Sequence, residues 1–349
     1  MDHWSMVEQF RQVEISGNAR ERGEQHGRIL KIEIKETIEY YRSIFKLPDV
    51  LILERAVEFR KLIKAFNEDY LIEMYAIAEA ASVDPLWIIA LNARTEILST
   101  RPSPKALECT SVCFSEQALL GQNWDWASRL ESLLVYMHIT QPDGHSIGMV
   151  TEPGILGKIG MNNQGIGVCL NILSTATQLD GLPVHIILRS ILDCKNMSEV
   201  ENLLTDHGAG KASHVLVATY KGEGFGYEFN QDKQFQLALV NSYLIHTNHY
   251  LGESIDDPQD PDFRSSFARI RTAEQFIADH PDRDLTTMKK LLSDESNSDW
   301  PIYRDYMEND HIGDVGTVCS IIMDLRRQEI HLRKGKSERA DFETYSLTR

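Results

Sequence analysis

Hydrophobic and polar positions along the chain follow two different rhythms, and the change falls near residue 105. Before it, apolar residues recur at helical spacing. Ile29, Leu30, Ile32, Ile34, Ile38 and Tyr41 predict a helix over 28–45, and similar patterns predict helices over 51–66 and 70–81. Ser82-Val83-Asp84-Pro85 reads as a break and restart, with Asp84 as cap and Pro85 at the first helical position of a helix reaching residue 98. Arg101-Pro102-Ser103-Pro104 then stops helical structure.

From Cys109 onward the pattern shortens to strands: 109–114, 119–126, 133–140, 145–151, 156–161 and 166–172. Pro142-Asp143-Gly144 and Asn162-Asn163-Gln164-Gly165 mark turns between them. Helices are predicted over 183–193 and from 197 to 204. Strands follow at 213–219, 225–230, 235–239 and 242–246, helices at 263–279 and 285–292, and strands at 317–323 and 328–333. The glycines of Lys221-Gly222-Glu223-Gly224-Phe225-Gly226 lack phosphate-loop spacing and read as a hairpin turn. Glu253–Asp262 reads as a surface loop. Strands in sets, separated by helix pairs, predict an α+β fold of two sheets covered by helices.

Composition narrows the function. Of 349 residues, 42% are apolar and 25% charged, the balance of a folded globular protein. A net charge of -16 excludes a nucleic-acid role, since phosphate binding needs a basic face, and disfavours anionic membranes. Neither a membrane-length apolar run nor a secretory signal is visible, so a cytoplasmic protein is expected. Cys109, Cys113, Cys169, Cys194 and Cys319 are an odd, scattered set without CxxC pairs, read as reduced thiols. The last four lie in apolar strand or helix patterns and read as core. His246 and His249 have metal-ligand side chains but no carboxylate nearby in sequence, so no metal and no cofactor are expected.

The chemistry concentrates in Glu108-Cys109-Thr110-Ser111 and Asn123-Trp124-Asp125-Trp126. A hairpin centred on Gln117 would set Cys109 opposite Asp125 and Ser111 opposite Asn123, with the first pair roughly 4.5–5.5 Å apart at Cβ. A thiol needs a base near neutral pH, and the hairpin holds no histidine. Cutting the Glu108–Cys109 bond would free an α-amine of pKa near ~7.7–8.0 on the thiol's own residue, with Asp125 to support the ammonium.

Those residues resemble the acyl-coenzyme A:6-aminopenicillanic acid acyltransferase family, the C45 peptidase family of N-terminal nucleophile hydrolases. The likeness extends to Gly160-Met161-Asn162-Asn163-Gln164-Gly165, to Asn171, to His246-Thr247-Asn248-His249-Tyr250, and to 317–324 with Gly335. The resemblance implies a four-layer αββα fold. It implies a helical segment 1–108 that becomes a small subunit, and a catalytic core 109–349, together one globular unit. It implies self-cleavage before Cys109, with Glu108, Thr110 and Ser111 flanking the cut, and Cys109 as nucleophile beside Asp125. Asn248, and less directly Asn171, would donate to the oxyanion. The substrate would be a small amide or acyl donor, the product an acyl-thioester resolved by water or by an amine; a homo-oligomer is compatible with all of this. Two departures stand out: Glu108 where well-known relatives have Gly, and no Arg in 311–316, where some relatives carry one. They leave open an uncleaved relative that only binds. A conventional Cys–His hydrolase using His246 or His249 is the other alternative.

Overall fold

The computed structural model describes residues 10–98, 109–175, 178–208, 210–231, 233–252, 264–309, 312–335 and 341–347. Glu108, the Pro-rich stop at 101–104 and the expected loop over 253–262 lie outside them.

Two sheets form the centre. The larger runs in the order β1 (Arg11–Ser16), β4 (Val135–Thr140), β5 (Ser146–Thr151), β6 (Ile159–Asn162), β7 (Ile166–Ile172), β8 (Lys211–Thr219), β9 (Gly224–Gln231), β10 (Lys233–Ala238). The smaller runs β11 (Tyr243–His246), β2 (Cys109–Phe114), β3 (Leu119–Ala127), β12 (Val315–Asp324), β13 (Glu329–Lys334), β14 (Glu343–Ser346). Strand alternation explains how they stack. On β2, Cys113 joins the large core between the sheets, whereas Val112 and Phe114 join a second cluster with Ile270, Ala273 and Ile277 of α9 (Arg264–Asp279) and Met288 and Leu291 of α10 (Leu285–Leu291). Helix α7 (Val184–Asp193), followed by α8 (Met197–His207), covers the larger sheet along β6 and β7. The layers are therefore helix, sheet, sheet, helix, as expected.

The N-terminal part holds two surprises. The expected helix over 28–45 is two, α1 (Ala19–Ile29) and α2 (Lys31–Phe45), broken at Leu30, whose backbone leaves the helical region. Residues 11–16 form β1, which pairs in parallel with β4, so this segment supplies an edge strand as well as a helical cover. Helices α3 (Asp49–Phe66), α4 (Glu68–Ala81), α5 (Pro85–Asn92) and α6 (Arg94–Leu98) complete it, with Asp84 capping α5 at Leu86 N–H as its sequence indicates.

A buried ion network binds this segment to the core. Glu73 on α4 accepts from Arg22 of α1 at 2.6 Å and from Arg189 of α7 at 3.1 Å. Burial alone would raise the Glu73 carboxyl, but Arg189 and Arg22 hold it below its ordinary value. Glu73→Gln leaves two desolvated guanidinium groups, Arg189 with Asp193 alone as a counter-charge and Arg22 with the Gly17 carbonyl. We expect a loss of about 3–5 kcal/mol in urea unfolding, the range for breaking a buried pair.

Candidate active site

The hairpin places its residues one step from the expected register. The β2–β3 loop is Ser115–Ala118, closed by Ala118 N–H on Ser115 O, so Phe114 pairs with Leu119. Cys109 therefore faces Trp124, Thr110 faces Asn123 and Ser111 faces Gln122, not the pairs expected. Cys109, Ser111, Gln122, Trp124 and Trp126 fall on the side toward the larger sheet, and Thr110, Asn123 and Asp125 on the side toward α9 and α10. Asn123 is drawn away from the thiol: its Nδ2 donates to Leu292 O and Ile302 O, and its Oδ1 accepts from Ser320. Gln122 fastens the sheets together, donating to Leu170 O at 2.6 Å and accepting from Leu170 N–H at 2.9 Å.

Cys109 and Asp125 still share one cavity, because Asp125 follows the residue opposite Cys109 at the strand end. Arg94, Gln122, Trp124, Trp126, Lys158, Leu170, Ile172 and Asn248 also line it. It is tight, with about 20 Å³ for the centres of water-sized spheres, room for a water or two. The backbone N–H of Cys109, the group that a cut would turn into the amine, donates to Asn248 Oδ1 at 2.7 Å. Asp125 Oδ1 accepts from Thr317 at 2.7 Å, while Oδ2 is buried without a partner among the described residues.

Electrostatics in this intact chain hold the thiol neutral and bring the carboxyl's titration to neutral pH. Burial first, and then the neighbouring Asp125, push the Cys109 thiol up to about 11. Burial raises the Asp125 carboxyl to about 7, against the pull of Arg269 and the Thr317 hydrogen bond. Moving the proton from sulfur to that carboxylate costs about 5 kcal/mol, taking roughly 1.4 kcal/mol per pH unit of the gap. That is compatible with a slow single event and unsuited to rapid turnover.

Arg269 is the residue that reading the sequence missed. It sits fully buried on α9 and donates to Cys109 O at 2.7 Å, Thr110 Oγ1 at 2.8 Å and Asn248 Oδ1 at 3.1 Å. It supplies a cation where none was found in 311–316. Its helix carries Arg264, Arg271 and Glu274 too, and no local pattern marks it out. Arg304 comes close through its backbone: its N–H donates to Thr317 Oγ1, the hydroxyl that holds Asp125.

The two asparagines differ from the donor roles that the resemblance implies. In the intact chain Asn248 Nδ2 donates to Ile172 O at 2.9 Å, and its carbonyl end faces Cys109. Asn171 Nδ2 donates to Cys109 O and His246 O at 3.3 Å each, and its Oδ1 accepts from Ser111 at 2.6 Å. The Cys–His alternative finds no base. Both ring nitrogens of His246 are engaged, by Glu228 at 2.7 Å and Thr247 O at 2.8 Å, and His249 Nδ1 is within 2.8 Å of Ser266 Oγ. No histidine is among the described residues lining the cavity.

The chain is similar to known proteins in sequence and, more distantly, in structure. The family described as acyl-coenzyme A:6-aminopenicillanic acid acyl-transferase matches residues 113–339 of the 349. The Emericella nidulans protein described as acyl-coenzyme A:6-aminopenicillanic-acid-acyltransferase 40 kDa form is 29% identical over 350 aligned residues, spanning 96% of this chain and 95% of that one. Solved structures are more distant. A Caenorhabditis elegans ortholog of N-acylethanolamine-hydrolyzing acid amidase is 17% identical, covering 62% of this chain and 93% of its own, at a TM-score of 0.46. Penicillin V acylase from Agrobacterium tumefaciens is 12% identical, covering 65% and 82%, at 0.42.

Proposed function

Because the chain belongs to the acyl-coenzyme A:6-aminopenicillanic acid acyl-transferase family, we propose that it is an amide-directed enzyme that cuts itself before Cys109 and then uses Cys109 as an N-terminal nucleophile. The observation that carries the reading is the 2.7 Å contact of the Cys109 nitrogen with Asn248, beside a carboxylate with one free oxygen.

In the first event, Asp125 takes the thiol proton, the sulfur attacks the Glu108 carbonyl carbon, and the C–N bond to Cys109 breaks as Asp125 returns the proton to the departing nitrogen, so that the acyl chain passes from nitrogen to sulfur. Water then splits the thioester, leaving a carboxylate on Glu108 and an amine on Cys109. Arg269 fixes the Cys109 carbonyl and Thr110 during this step. Residues 1–108 stay attached as a small subunit, held by β1 and Glu73.

In turnover the amine accepts the thiol proton. Its pKa near ~8 is closer to the thiol's than the carboxyl's is, and the ammonium attracts the thiolate it creates. Asn248 Oδ1 and Asp125 hold that ammonium. The sulfur attacks the amide carbon of a small N-acyl substrate, and the departing amine takes the ammonium's proton. Asn248 and Asn171 supply side-chain N–H groups for the oxyanion, exchanging their present carbonyl partners for it. Water completes hydrolysis of the thioester; an amine completes acyl transfer. The free thiols fit a reducing, cytosolic setting.

Intact-mass measurement of purified protein is the test. Two chains dividing between residues 108 and 109, with release of amine from N-acyl substrates, are expected. One undivided chain whose Cys109 resists iodoacetamide would exclude the proposal.

A further inference from the structure

We propose that Lys158, together with Arg94, anchors a carboxylate on the substrate beside the Cys109 sulfur. The inference rests on Cys109 being the reacting group and adds to it the charge of the molecule that reacts.

Part of the cavity lining is backed by charge. Glu152 accepts from Lys158 Nζ at 3.0 Å, from Arg94 Nη2 at 3.2 Å and from the Tyr41 hydroxyl. Arg94, Glu152 and Lys158 are 4%, 0% and 2% exposed, so water cannot solvate them. Two cations thus share one carboxylate. Glu96 acts on both Arg94 and Lys211, and Asp125 acts on Arg269. Among the described residues, the four buried cations Arg94, Lys158, Lys211 and Arg269 therefore face three buried carboxylates, Glu96, Asp125 and Glu152. A buried charge without a counter-charge costs several kcal/mol, and an anion in the cavity would remove that cost.

Unused hydrogen-bond donors point to the same group. Arg94 Nε and Trp126 Nε1 are both buried and have no hydrogen-bond partner among the described residues, and both residues line the cavity. Buried donors are ordinarily satisfied. Two of them at one wall ask for an acceptor that arrives from outside. The aromatic floor fits as well: the Arg94 guanidinium lies 5.2 Å from the Trp126 ring and Lys158 Nζ lies 3.9 Å from the Trp124 ring. Both cations are held in place before any ligand enters. Burial and Arg94 lower the Lys158 ammonium to about 8, against the pull of Glu152. Arg94 belongs to the N-terminal segment, so that segment would contribute to specificity as well as to the fold.

Two carboxylate positions satisfy the geometry, on the amine side or on the acyl side of the scissile bond. N-hexanoylglycine, the monoethylamide of adipic acid and the neutral N-ethylhexanamide separate them by kcat/KM. Preference for the first places the carboxylate on the amine, and preference for the second places it on the acyl chain. Either supports the proposal when Lys158→Met lowers the acid-to-neutral ratio by about tenfold or more, the scale of one charge contact in a partly screened site. This variant leaves a balanced Arg94–Glu152 pair, so the fold should survive.

A second readout does not depend on turnover. Alkylation of Cys109 by iodoacetate and by iodoacetamide, followed by intact mass, should favour iodoacetate relative to the ratio for free cysteine, and Lys158→Met should abolish that preference. Equal labelling unaffected by Lys158→Met would overturn the anchor while leaving Cys109 as a reactive sulfur. No labelling by either reagent would overturn both readings.

Discussion

Cys109→Ala is expected to leave all 349 residues in one piece and to remove amidase activity altogether. The variant deletes the atom that attacks in both events, while the backbone N–H that donates to Asn248 and the carbonyl that accepts from Arg269 remain. The fold should therefore persist, and circular dichroism and unfolding midpoint should stay close to those of the parent. Loss of a nucleophile that works as part of a unit costs on the order of 10⁶ in kcat, which here means activity at background. Cys109→Ser separates the two roles. A hydroxyl can still attack, but more slowly, so partial cutting over days with negligible turnover is expected. The thiol value of about 11 adds a check on the wild type. Before cutting, roughly one sulfur in ten thousand is ionised at neutral pH, so freshly refolded chain should resist alkylation until the new terminus appears by mass. Rapid alkylation of uncut chain would contradict the requirement for a freed amine.

Sequence made the strands around the site legible because each is short, apolar and bounded by turn residues. Strand β2 runs over 109–114 as its pattern indicates, and β3 extends one residue past the expected 119–126. The register was not legible. A centre at Gln117 and a four-residue loop at Ser115–Ala118 differ by one pairing step, and Ala118 adopts a left-handed backbone (φ 53°) that its side chain does not advertise. The slip mattered less than a slip in mid-sheet would, since Cys109 stands at the strand end, where both sides of the ribbon open into one cavity. Strand β1 was passed over although Val13 and Ile15 alternate with Gln12, Glu14 and Ser16; six residues with two buried apolar positions give too weak a period to separate from a loop. The buried cations Arg269, Lys158 and Arg94 were invisible for a different reason. A charged residue on a helix or in a loop reads as solvated, and only the chain's return from far in sequence shows that it is not. Cys109 and Arg269 are 160 positions apart.

Asp125→Asn should abolish rapid turnover and, in the same molecule, stabilise the fold above neutral pH. Activity is expected to fall by about 10²–10⁴, the range for losing a proton-handling group, and self-cutting should slow in parallel, since the carboxylate is the acceptor available before an amine exists. The stability effect follows from linkage. The carboxyl has an ordinary value of 3.8 and burial raises it to about 7 in the folded chain. A raised value means that the folded state holds its proton longer than the unfolded state. Stability from this group is therefore full below about 3.8 and is lost as pH rises through about 7. Asparagine cannot ionise and escapes the loss. The comparison is cleanest in a Cys109→Ala background, which never gains an ammonium to lower the Asp125 carboxyl again. There, urea unfolding of Cys109→Ala/Asp125→Asn minus Cys109→Ala should rise by about 3 kcal/mol between pH 5 and pH 7.5. The attraction of Arg269 is already contained in the value of about 7, and the cost of exchanging a neutral carboxyl for a neutral amide does not depend on pH and so drops out of the difference. A flat difference across that range would mean that Asp125 is already ionised in the intact chain. The aspartate would then be an ordinary partner of Arg269, and the proton acceptor for the first cut would have to be sought elsewhere.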